Sequence, residues 1–407
     1  MRGRSIAIAA AALAAAAVAL PAAALPAPAL AAPALAAPAS PASRRPATLA
    51  LLAAYVLDGT GAITPIFSTG AAGAPILTGS DPLEAAFTPD GSRAYVVDTG
   101  DNAVTPITID SDQDSIPGPE IRVGHDPVAI AITPNGTTAL VANHNAAHNS
   151  RGYYYTVTPI DLTTNHAGPA IRVGMSPEEI AITPNGKYAY VTNYNSASVS
   201  VIGFRSGHAP RVVKTIKVGF GPEAVAVTPD GRYVLVGNNG ARSVTRINVA
   251  TNSASRPVRV GHFPAAIAIT PNGRYAFVTN NGSRTVSEIQ ISRNRVLRTI
   301  RAGGFPDSVV VTPNGKYAFV ASFNEQGGNW ALDHTVTDIT VATGAVRRQI
   351  TVGHGPAALA VTLSGATVYV ANWSSDTVSP IDVATAAAGP ALTLSGQHEP
   401  VYIAIRP

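Results

Sequence analysis

One four-residue turn, Thr-Pro followed by Asn-Gly or Asp-Gly, recurs along this chain of 407 residues and constrains its fold more than any other feature. Its clearest copy lies within residues 180–195. There an apolar strand ends at Pro184, the Asn185-Gly186 pair can take positive φ, and a second apolar strand ends at Asn193. The segment therefore predicts a β-hairpin.

Seven copies of this turn are present, the last of them weakened. They begin at Thr88, Thr133, Thr183, Thr228, Thr270, Thr312 and Thr362, so their spacings are 45, 50, 45, 42, 42 and 50 residues. Each repeat reads as Gly-x-x-Pro, strand A, the turn, strand B, a loop, strand C, a loop and strand D. A period of about 40 to 50 residues built only of strands is typical of a β-propeller. We predict an all-β fold, a single β-propeller of four-stranded antiparallel blades.

The two ends of the repeat region set the number of blades. Residues 54–79 supply strands B, C and D with no strand A before them, and residues 398–407 repeat strand A with nothing after it. We predict that these N-terminal strands pair with the C-terminal strand A and close the ring without a covalent bond. Seven internal units and this shared one make eight blades. Seven blades is the alternative if the N-terminal segment is irregular.

The first 50 residues have a different composition from the repeats. Arg2 and Arg4 precede an apolar run that is followed by small residues, which is the layout of a secretory signal. We predict a signal peptide over residues 1–32, cleaved near residue 24 or 32, an Ala/Pro-rich disordered linker over 33–50, and the propeller over 51–407. An uncleaved membrane anchor is the alternative. The expected location is secreted, extracellular or at the cell surface, with no membrane span after signal removal.

Strand D carries a basic residue within an apolar triplet in five successive units. These residues are Arg122, Arg172, Lys217, Arg259 and Arg301. Strand D is the outer edge of a blade, where Lys and Arg block pairing between edges, so we prefer this interpretation to a phosphate-binding stripe. A formal net charge of only +4 fits that choice, and no nucleic-acid partner is predicted.

The segment Tyr190-Val191-Thr192-Asn193 follows the turn and has close variants at residues 140–143, 277–280 and 369–372. With the preceding Thr-Pro-Asn/Asp-Gly turn, it resembles the YVTN-repeat β-propeller family, which belongs to a superfamily with surface-layer, lactonase-type and haem d1 propellers. The resemblance covers about 350 residues. It implies the fold and an extracellular setting, but its residues build turns and cores and say little about function.

Strand B leads into strand C by loops of variable length, and two of these loops are long. They span residues 143–155 and 322–335 and account for the two spacings of 50 residues. Loops on a rigid scaffold commonly carry function, so we predict a binding face at this end. Its candidate residues are His144, His148, Tyr153, Tyr154, Trp330, His334 and Trp373, although a Tyr of this set can equally begin strand C.

Histidines are concentrated at the same end. His125, His262 and His354 occupy one position of the Gly-x-x-Pro connection, with His398 one residue out of register, and all four are predicted at the channel rim. A metal or haem site is the functional interpretation, with His125, His144 and His148 as the candidate metal ligands. The alternative is a tolerant loop position. No cofactor is predicted, and a bound metal ion is the alternative.

Acidic residues recur at the start of strand A. Glu84, Glu179, Glu223 and Asp307 are the candidates for acid and base in a lactonase-like hydrolase at the channel mouth. No nucleophile motif supports an enzyme. The sequence favours a monomeric binding or scaffold module for a protein or glycan at the cell envelope, and it leaves open the hydrolase and the metal- or haem-linked protein.

Overall fold

The computed structural model describes residues 51–110, 114–149, 152–205, 207–323, 334–394 and 399–407. The predicted signal peptide and linker over residues 1–50 lie outside this part of the chain. The described residues form eight antiparallel sheets, one per blade, and we number the blades from the N-terminus. The predicted all-β propeller of four-stranded blades is confirmed. Within the described ranges, no helix is long and apolar enough to cross a membrane.

Each blade runs from an inner strand A to an outer strand D. From blade 1 to blade 8, strands A are Pro400–Ile405, Pro82–Phe87, Pro127–Ile132, Pro177–Ile182, Pro222–Val227, Pro264–Ile269, Pro306–Val311 and Pro356–Val361. In the same order, strands B are Leu52–Asp58, Arg93–Asp98, Thr138–Asn149, Tyr188–Asn193, Tyr233–Asn238, Tyr275–Asn280, Tyr317–Ser322 and Thr367–Asn372. Strands C are Ala62–Phe67, Ala103–Ile109, Gly152–Asp161, Ser198–Arg205, Ser243–Asn248, Thr285–Gln290, Thr335–Thr340 and Thr377–Asp382.

Strand D is interrupted in half of the blades. In order it comprises Ile76–Leu77, then Ser115–Pro117 with Ile121–Arg122, His166–Ala167 with Ile171–Val173, His208–Lys217, Ser253–Ala254 with Val258–Arg259, Arg295–Arg301, Ala345–Thr351, and Ala387–Ala388 with Leu392–Thr393. Short 3-10 helices follow strand B at Tyr194–Ser196, Asn281–Ser283 and Trp373–Ser375. The five basic residues predicted for strand D all lie on it with exposed side chains, as expected for a protected edge.

The ring closes as the sequence predicts. Strand Leu52–Asp58 pairs antiparallel with Pro400–Ile405, so blade 1 takes strands B, C and D from the N-terminal side and strand A from the other end of the chain. The eight strands A pack against one another in a complete cycle, with Pro400–Ile405 between the strands A of blades 8 and 2. Eight blades are confirmed, and the alternative of seven is wrong.

The recurring turn has a physical role at each of its residues. The Gly186 N–H donates to the Thr183 carbonyl over 2.8 Å, and only the glycine takes positive φ, at 65°. The Thr183 hydroxyl accepts the Tyr188 N–H and donates to the Tyr188 carbonyl, both over 3.1 Å. The turn is therefore held from both strands of its hairpin, which explains why it changes so little between blades.

A buried Asn at the end of strand B joins three parts of a blade. Asn280 is fully buried; its Oδ1 accepts the Gly261 N–H over 3.0 Å, and its Nδ2 donates to the hydroxyls of Thr285 and Ser287. Asn143 and Asn238 make equivalent bonds. The Asn that ends the YVTN motif therefore links strands B and C to the connection that leads into strand A.

We expect Asn280→Ala to lower the free energy of unfolding by about 2 to 4 kcal/mol, because it leaves a buried N–H and two hydroxyls without their partner. Asn272→Ala, in an exposed turn of the same blade, is the matched control and should cost less than about 1 kcal/mol. Urea unfolding of the two variants measures the difference. Equal destabilisation would show that the Asn280 bonds contribute nothing specific.

Candidate functional site

The first long B-to-C connection is a protruding hairpin and not an irregular loop. Strands Thr138–Asn149 and Gly152–Asp161 continue past the body of blade 3 and pair as far as Asn149 opposite Gly152. Strand B has six or seven residues in every other blade. Tyr153 and Tyr154 therefore lie within strand C, which is the alternative that the sequence left open for one of these tyrosines. The extra residues extend the scaffold beyond the ring at the predicted binding face.

A groove with a volume of about 800 Å³ lies at the base of this hairpin. Its walls include Asn145, Tyr154, Arg172, Met175 and Ser196. The Arg172 guanidinium carbon lies 4.5 Å from the centre of the Tyr154 ring, a cation–π contact that holds the outer edge of blade 3 against the hairpin. The Ser196 hydroxyl accepts the Met175 N–H over 2.7 Å, so blade 4 supplies a fixed opposite wall.

Large apolar side chains are exposed on the same face beside the groove. Met175, Phe220 and Phe263 lie in the Gly-x-x-Pro connections of blades 4, 5 and 6, and they are 47%, 58% and 52% exposed. Phe220 also contacts the ring of Tyr194, with 6.4 Å between centroids. We call the groove together with this row of side chains the loop face.

The structure describes only some of the other residues that the sequence predicts for the binding face. His144 is half-buried, and its Nδ1 lies 3.1 Å from a carboxylate oxygen of Glu178 in the next blade. Trp373 is half-buried against Phe323, with ring centroids 5.9 Å apart, so it packs at the channel mouth. The side chains of Tyr153 and His148, and the whole of Trp330, lie outside the described residues.

The rim histidines do not converge on one point. His125, His262 and His354 are exposed, and His262 Nε2 lies 3.2 Å from an Arg242 nitrogen. The structure does bring together His334 and His354, whose rings are 5.7 Å apart. His398 lies outside the described residues. No group of three or more His, Asp or Glu within the described ranges could hold a metal ion, and the trio with His148 stays a prediction because that side chain is not described.

We assign two positions of each blade to the channel mouth: the residue after the Gly-x-x-Pro proline, and the residue after the Asn, Asp or Ser that ends the strand-B motif. The first set is Val401, Leu83, Val128, Glu178, Glu223, Ala265, Asp307 and Ala357. The second set is Gly59, Thr99, His144, Tyr194, Asn239, Asn281, Phe323 and Trp373. Blades 4, 5 and 7 contribute the acids, and the other side of the mouth is mostly apolar. The mouth is therefore two-sided, with a polar arc and an apolar arc.

Amide side chains hydrogen-bond to two acids of the polar arc. The Glu223 carboxyl is hydrogen-bonded to the Asn239 side chain, and the Asn281 amide donates to Asp307 over 3.4 Å. Burial raises the pKa of Glu223 well above its usual range, and the negative charges of Asp307 and Glu178 raise it further. Burial likewise raises the pKa of the Tyr194 hydroxyl, with Glu223 and Glu178 adding to the effect.

Two further acids, Glu84 and Glu179, lie one residue further along strand A than the acids of the polar arc. Burial raises the pKa of Glu84 to about 8 although the carboxyl accepts the Ile130 N–H of the next blade. The Glu179 carboxyl accepts the Val225 N–H of the next blade over 2.5 Å. Burial raises the pKa of Glu179 well above its usual range, and the charges of Glu84 and Glu178 raise it further. Each acid thus joins adjacent strands A, and the charge of Glu84 acts on Glu179.

The sequence identified Glu84, Glu179, Glu223 and Asp307 as site candidates, and the structure brings them to the same end of the channel. The sequence pattern did not point to Tyr194, Asn239, Asn281, Phe323 or Tyr402. The first four share one position, immediately after strand B, that varies between blades while the motif before it hardly changes. An internal alignment of the eight units would have revealed that position. Tyr402 could be recognised as a neighbour of these acids only because the ring closes through the C-terminal strand A.

Two protein families match parts of the chain. The YNCE-like beta-propeller family matches residues 155–317, and the family described as lactonase, 7-bladed beta-propeller, matches residues 60–221. No curated protein sequence matches the chain. The family matches confirm the resemblance to lactonase-like propellers, although this ring has eight blades where that family's description gives seven.

Solved structures of low sequence identity share the fold. The dihydro-heme d1 dehydrogenase NirN in complex with DHE is 16% identical, covers 90% of this chain and 77% of its own, and has a TM-score of 0.70. Hydrazine synthase from Kuenenia stuttgartiensis is 23% identical over 74% of this chain and 96% of its own, with a TM-score of 0.56. A protein from Bacteroides uniformis assigned as a 6-phosphogluconolactonase is 15% identical over 75% and 95%, with a TM-score of 0.58.

Proposed function

We propose that this protein is a secreted or cell-surface binding module that uses its loop face to hold a protein or glycan of the cell envelope. The observation that carries the proposal is the extended hairpin of blade 3 with the groove at its base. Of the described B-to-C connections, this is the one in which the strands themselves continue beyond the blade. Stable strands projecting from a rigid ring form a preorganised surface, which lowers the entropic cost of binding.

The composition of the loop face favours a protein partner over a glycan. Met, aromatic residues and Arg are enriched at protein interfaces, and the loop face presents Met175, Phe220, Phe263 and the Arg172–Tyr154 pair. Side chains of this kind remain exposed at a cost in solubility, so several of them at one end of the ring indicate an interaction surface. The predicted secretion of the chain would give such a surface access to the envelope.

A lactonase-like hydrolase is the second candidate, and the match of residues 60–221 to the lactonase propeller family favours it. Burial raises the pKa of Glu84 to about 8 and raises the pKa values of Glu179 and Glu223 in the same direction, which favours the protonated form of these carboxyls. In that state they can donate a proton to a leaving group but are poor general bases. Assays of lactone opening distinguish this candidate from a pure binding module.

The likeness to NirN raises the question of a haem-type ligand. Such a ligand carries carboxylates, which are normally bound by basic side chains. In this chain the polar arc presents the carboxyls of Glu178, Glu223 and Asp307, and none of the positions named for the arc is Lys or Arg, so a ligand carboxylate would find no basic partner there. The residues of the channel mouth therefore do not fit an anionic tetrapyrrole, and we propose no role for one.

We expect Phe220→Ser with Tyr154→Ala to weaken binding of the full chain to isolated cell envelopes by at least about tenfold, as for residues at the centre of an interface. The matched control is Leu363→Ser, because Leu363 is a similarly exposed apolar residue, at 51%, in the A-to-B turn at the opposite end. Sedimentation of labelled protein with envelopes measures the affinity.

Protease-treated and deglycosylated envelopes then separate the two partner classes. Loss of binding after protease treatment alone indicates a protein partner. If the double variant and Leu363→Ser bind as well as the unaltered protein, while circular dichroism shows intact folds, the loop face is not the binding surface.

A further inference from the structure

We propose that a groove at the outer edge of blades 5 and 6 binds the sulfate or phosphate groups of an anionic sugar chain. The groove has a volume of about 370 Å³. Four of its eight lining residues are arginines, Arg256 and Arg259 of blade 5 and Arg293 and Arg295 of blade 6, and none is acidic. This arginine groove is separate from the loop face and does not depend on the function proposed for it.

Blades 5 and 6 concentrate the positive charge of the chain. Residues 222–305 contain eleven of its 28 Lys and Arg residues and only three of its 24 Asp and Glu residues. Of these acids, Glu223 is buried on the innermost strand, and Asp230 and Glu288 form ion pairs with arginines outside the groove. The four groove arginines are exposed and belong to none of the ion pairs of the described residues. Their charge is therefore available to a ligand.

Blade 5 departs from the other blades where strand D is interrupted. In blades 2, 3 and 8 the interruption is a Gly-Pro pair whose glycine N–H donates to a carbonyl of strand C. These pairs are Gly118-Pro119, Gly168-Pro169 and Gly389-Pro390. In blade 5 the Ser255 N–H makes the same bond to the Arg246 carbonyl over 2.7 Å, and Arg256 follows it. An arginine thus stands where three other blades have proline.

Blade 6 departs from its neighbours at the turn between strands C and D. The first residue of this turn, Ile291, donates its N–H to the residue after the A-to-B turn glycine, and the turns of blades 5, 7 and 8 begin with the same bond. Those three turns have Thr at the position of Arg293, and Ser or Ala at the position of Arg295. Protection of a strand edge accounts for Arg259 and Arg295, which lie on strand D, but not for Arg293 or Arg256.

Hydrogen bonds between the blades hold the two sides of the groove together. Arg246 of blade 5 donates from Nη1 to the Ile291 and Ser292 carbonyls of the blade 6 turn, over 2.6 and 3.0 Å. In the other direction, Asn294 Nδ2 donates to the Arg256 carbonyl over 2.9 Å. These bonds fix the backbone on both sides, so a ligand meets a preorganised groove and binding orders little of the chain.

The lining of the groove suits an oxyanion on a sugar chain better than a nucleic acid. Guanidinium groups present paired N–H donors that match the oxygens of tetrahedral oxyanions such as phosphate. The lining residues other than arginine are two valines, a proline and an asparagine, with no aromatic ring. Single-stranded nucleic acids are bound largely by stacking of bases on aromatic side chains, which this groove does not offer. The predicted location of the chain would give the groove access to anionic sugar chains.

The test compares dextran sulfate with unmodified dextran, which has the same sugar backbone and no charge, by calorimetry on the full-length protein. We expect saturable binding of dextran sulfate and at least about tenfold weaker binding of dextran. Arg293→Thr with Arg295→Ala introduces the residues of the blade 7 turn and should lower the affinity for dextran sulfate at least about tenfold.

The matched control is Arg232→Gln with Arg274→Gln, which removes two exposed arginines just after the A-to-B turns of the same two blades. It removes the same charge and should lower the affinity for dextran sulfate less than about threefold, because salt screens charges outside the groove. Thermal unfolding verifies that each variant is folded.

Dextran phosphate and a single-stranded thymidine oligonucleotide complete the comparison. Binding of dextran phosphate that is weakened in the groove variant supports the proposal, and the tighter of the two modified dextrans identifies the preferred oxyanion. The proposal is overturned if neither modified dextran binds, if dextran binds as tightly, if the groove variant binds like the matched control, or if the oligonucleotide binds more tightly than both modified dextrans.

Discussion

Removal of residues 399–407 is expected to abolish cooperative folding of the propeller. Strand Pro400–Ile405 is buried along its whole length between the strands A of blades 8 and 2, and it pairs with Leu52–Asp58. Burial of Val401, Tyr402 and the two isoleucines contributes about 1.5 to 3 kcal/mol per side chain, together about 8 kcal/mol. That is comparable to the whole stability of a typical domain, about 5 to 15 kcal/mol.

Circular dichroism melting of the truncated chain measures this effect, and complementation is its control. A synthetic peptide of residues 399–407 added in excess should restore a cooperative transition, because closure rests on strand pairing and packing. An unchanged melting curve for the truncated chain would mean that blade 1 contributes little to the ring, and closure by Pro400–Ile405 would not be needed for folding.

Raising the pH is expected to destabilise the protein through its buried channel acids. Burial raises the pKa of Glu84 from an ordinary value of 4.5 to about 8, and the pKa values of Glu179 and Glu223 rise in the same direction. A carboxyl whose folded-state pKa is raised stabilises the fold fully below pH 4.5, and this contribution is lost as the pH rises through about 8. For Glu84 the loss between pH 5 and pH 9 is on the order of 4 kcal/mol.

Free energies of unfolding at pH 5, 7 and 9 and constant ionic strength test this dependence. Glu84→Gln keeps the shape of the side chain and cannot ionise, so it should reduce the loss of stability toward pH 9 relative to the unaltered protein. Glu120→Gln, with its exposed carboxyl, should show the full loss. A stability that is flat or rises from pH 5 to pH 9 in the unaltered protein would contradict the burial of these acids.

The fold was predictable because its determinants are local and repeated. Thr183, Asn185 and Gly186 specify a turn by their own hydrogen bonds and conformations, and seven such turns at nearly regular spacing require a ring. The closing blade was also predictable, since the strands missing at one end of the repeat appear at the other. Each of these inferences needs only neighbours in sequence.

The candidate sites were harder to predict because they depend on contacts between distant blades. Glu84 lies in blade 2 and Glu179 in blade 4, and only the packing of successive blades lets their charges interact. Tyr402 comes to them from the opposite end of the chain. The extended hairpin of blade 3 has the polar composition of a loop over residues 143–150, so continued strand pairing there could not be inferred from alternation of apolar residues.

The central claim is that this protein acts through the end of the ring that bears the long B-to-C connections. Hydroxyl-radical footprinting of the full-length protein, free and bound to isolated envelopes, tests it most directly. We expect protection of Tyr154, Met175, Phe220 and Phe263, and unchanged labelling of Leu363 and the other A-to-B turns. Protection of the A-to-B turns, with Met175 and Phe220 labelled as in the free protein, would contradict the claim.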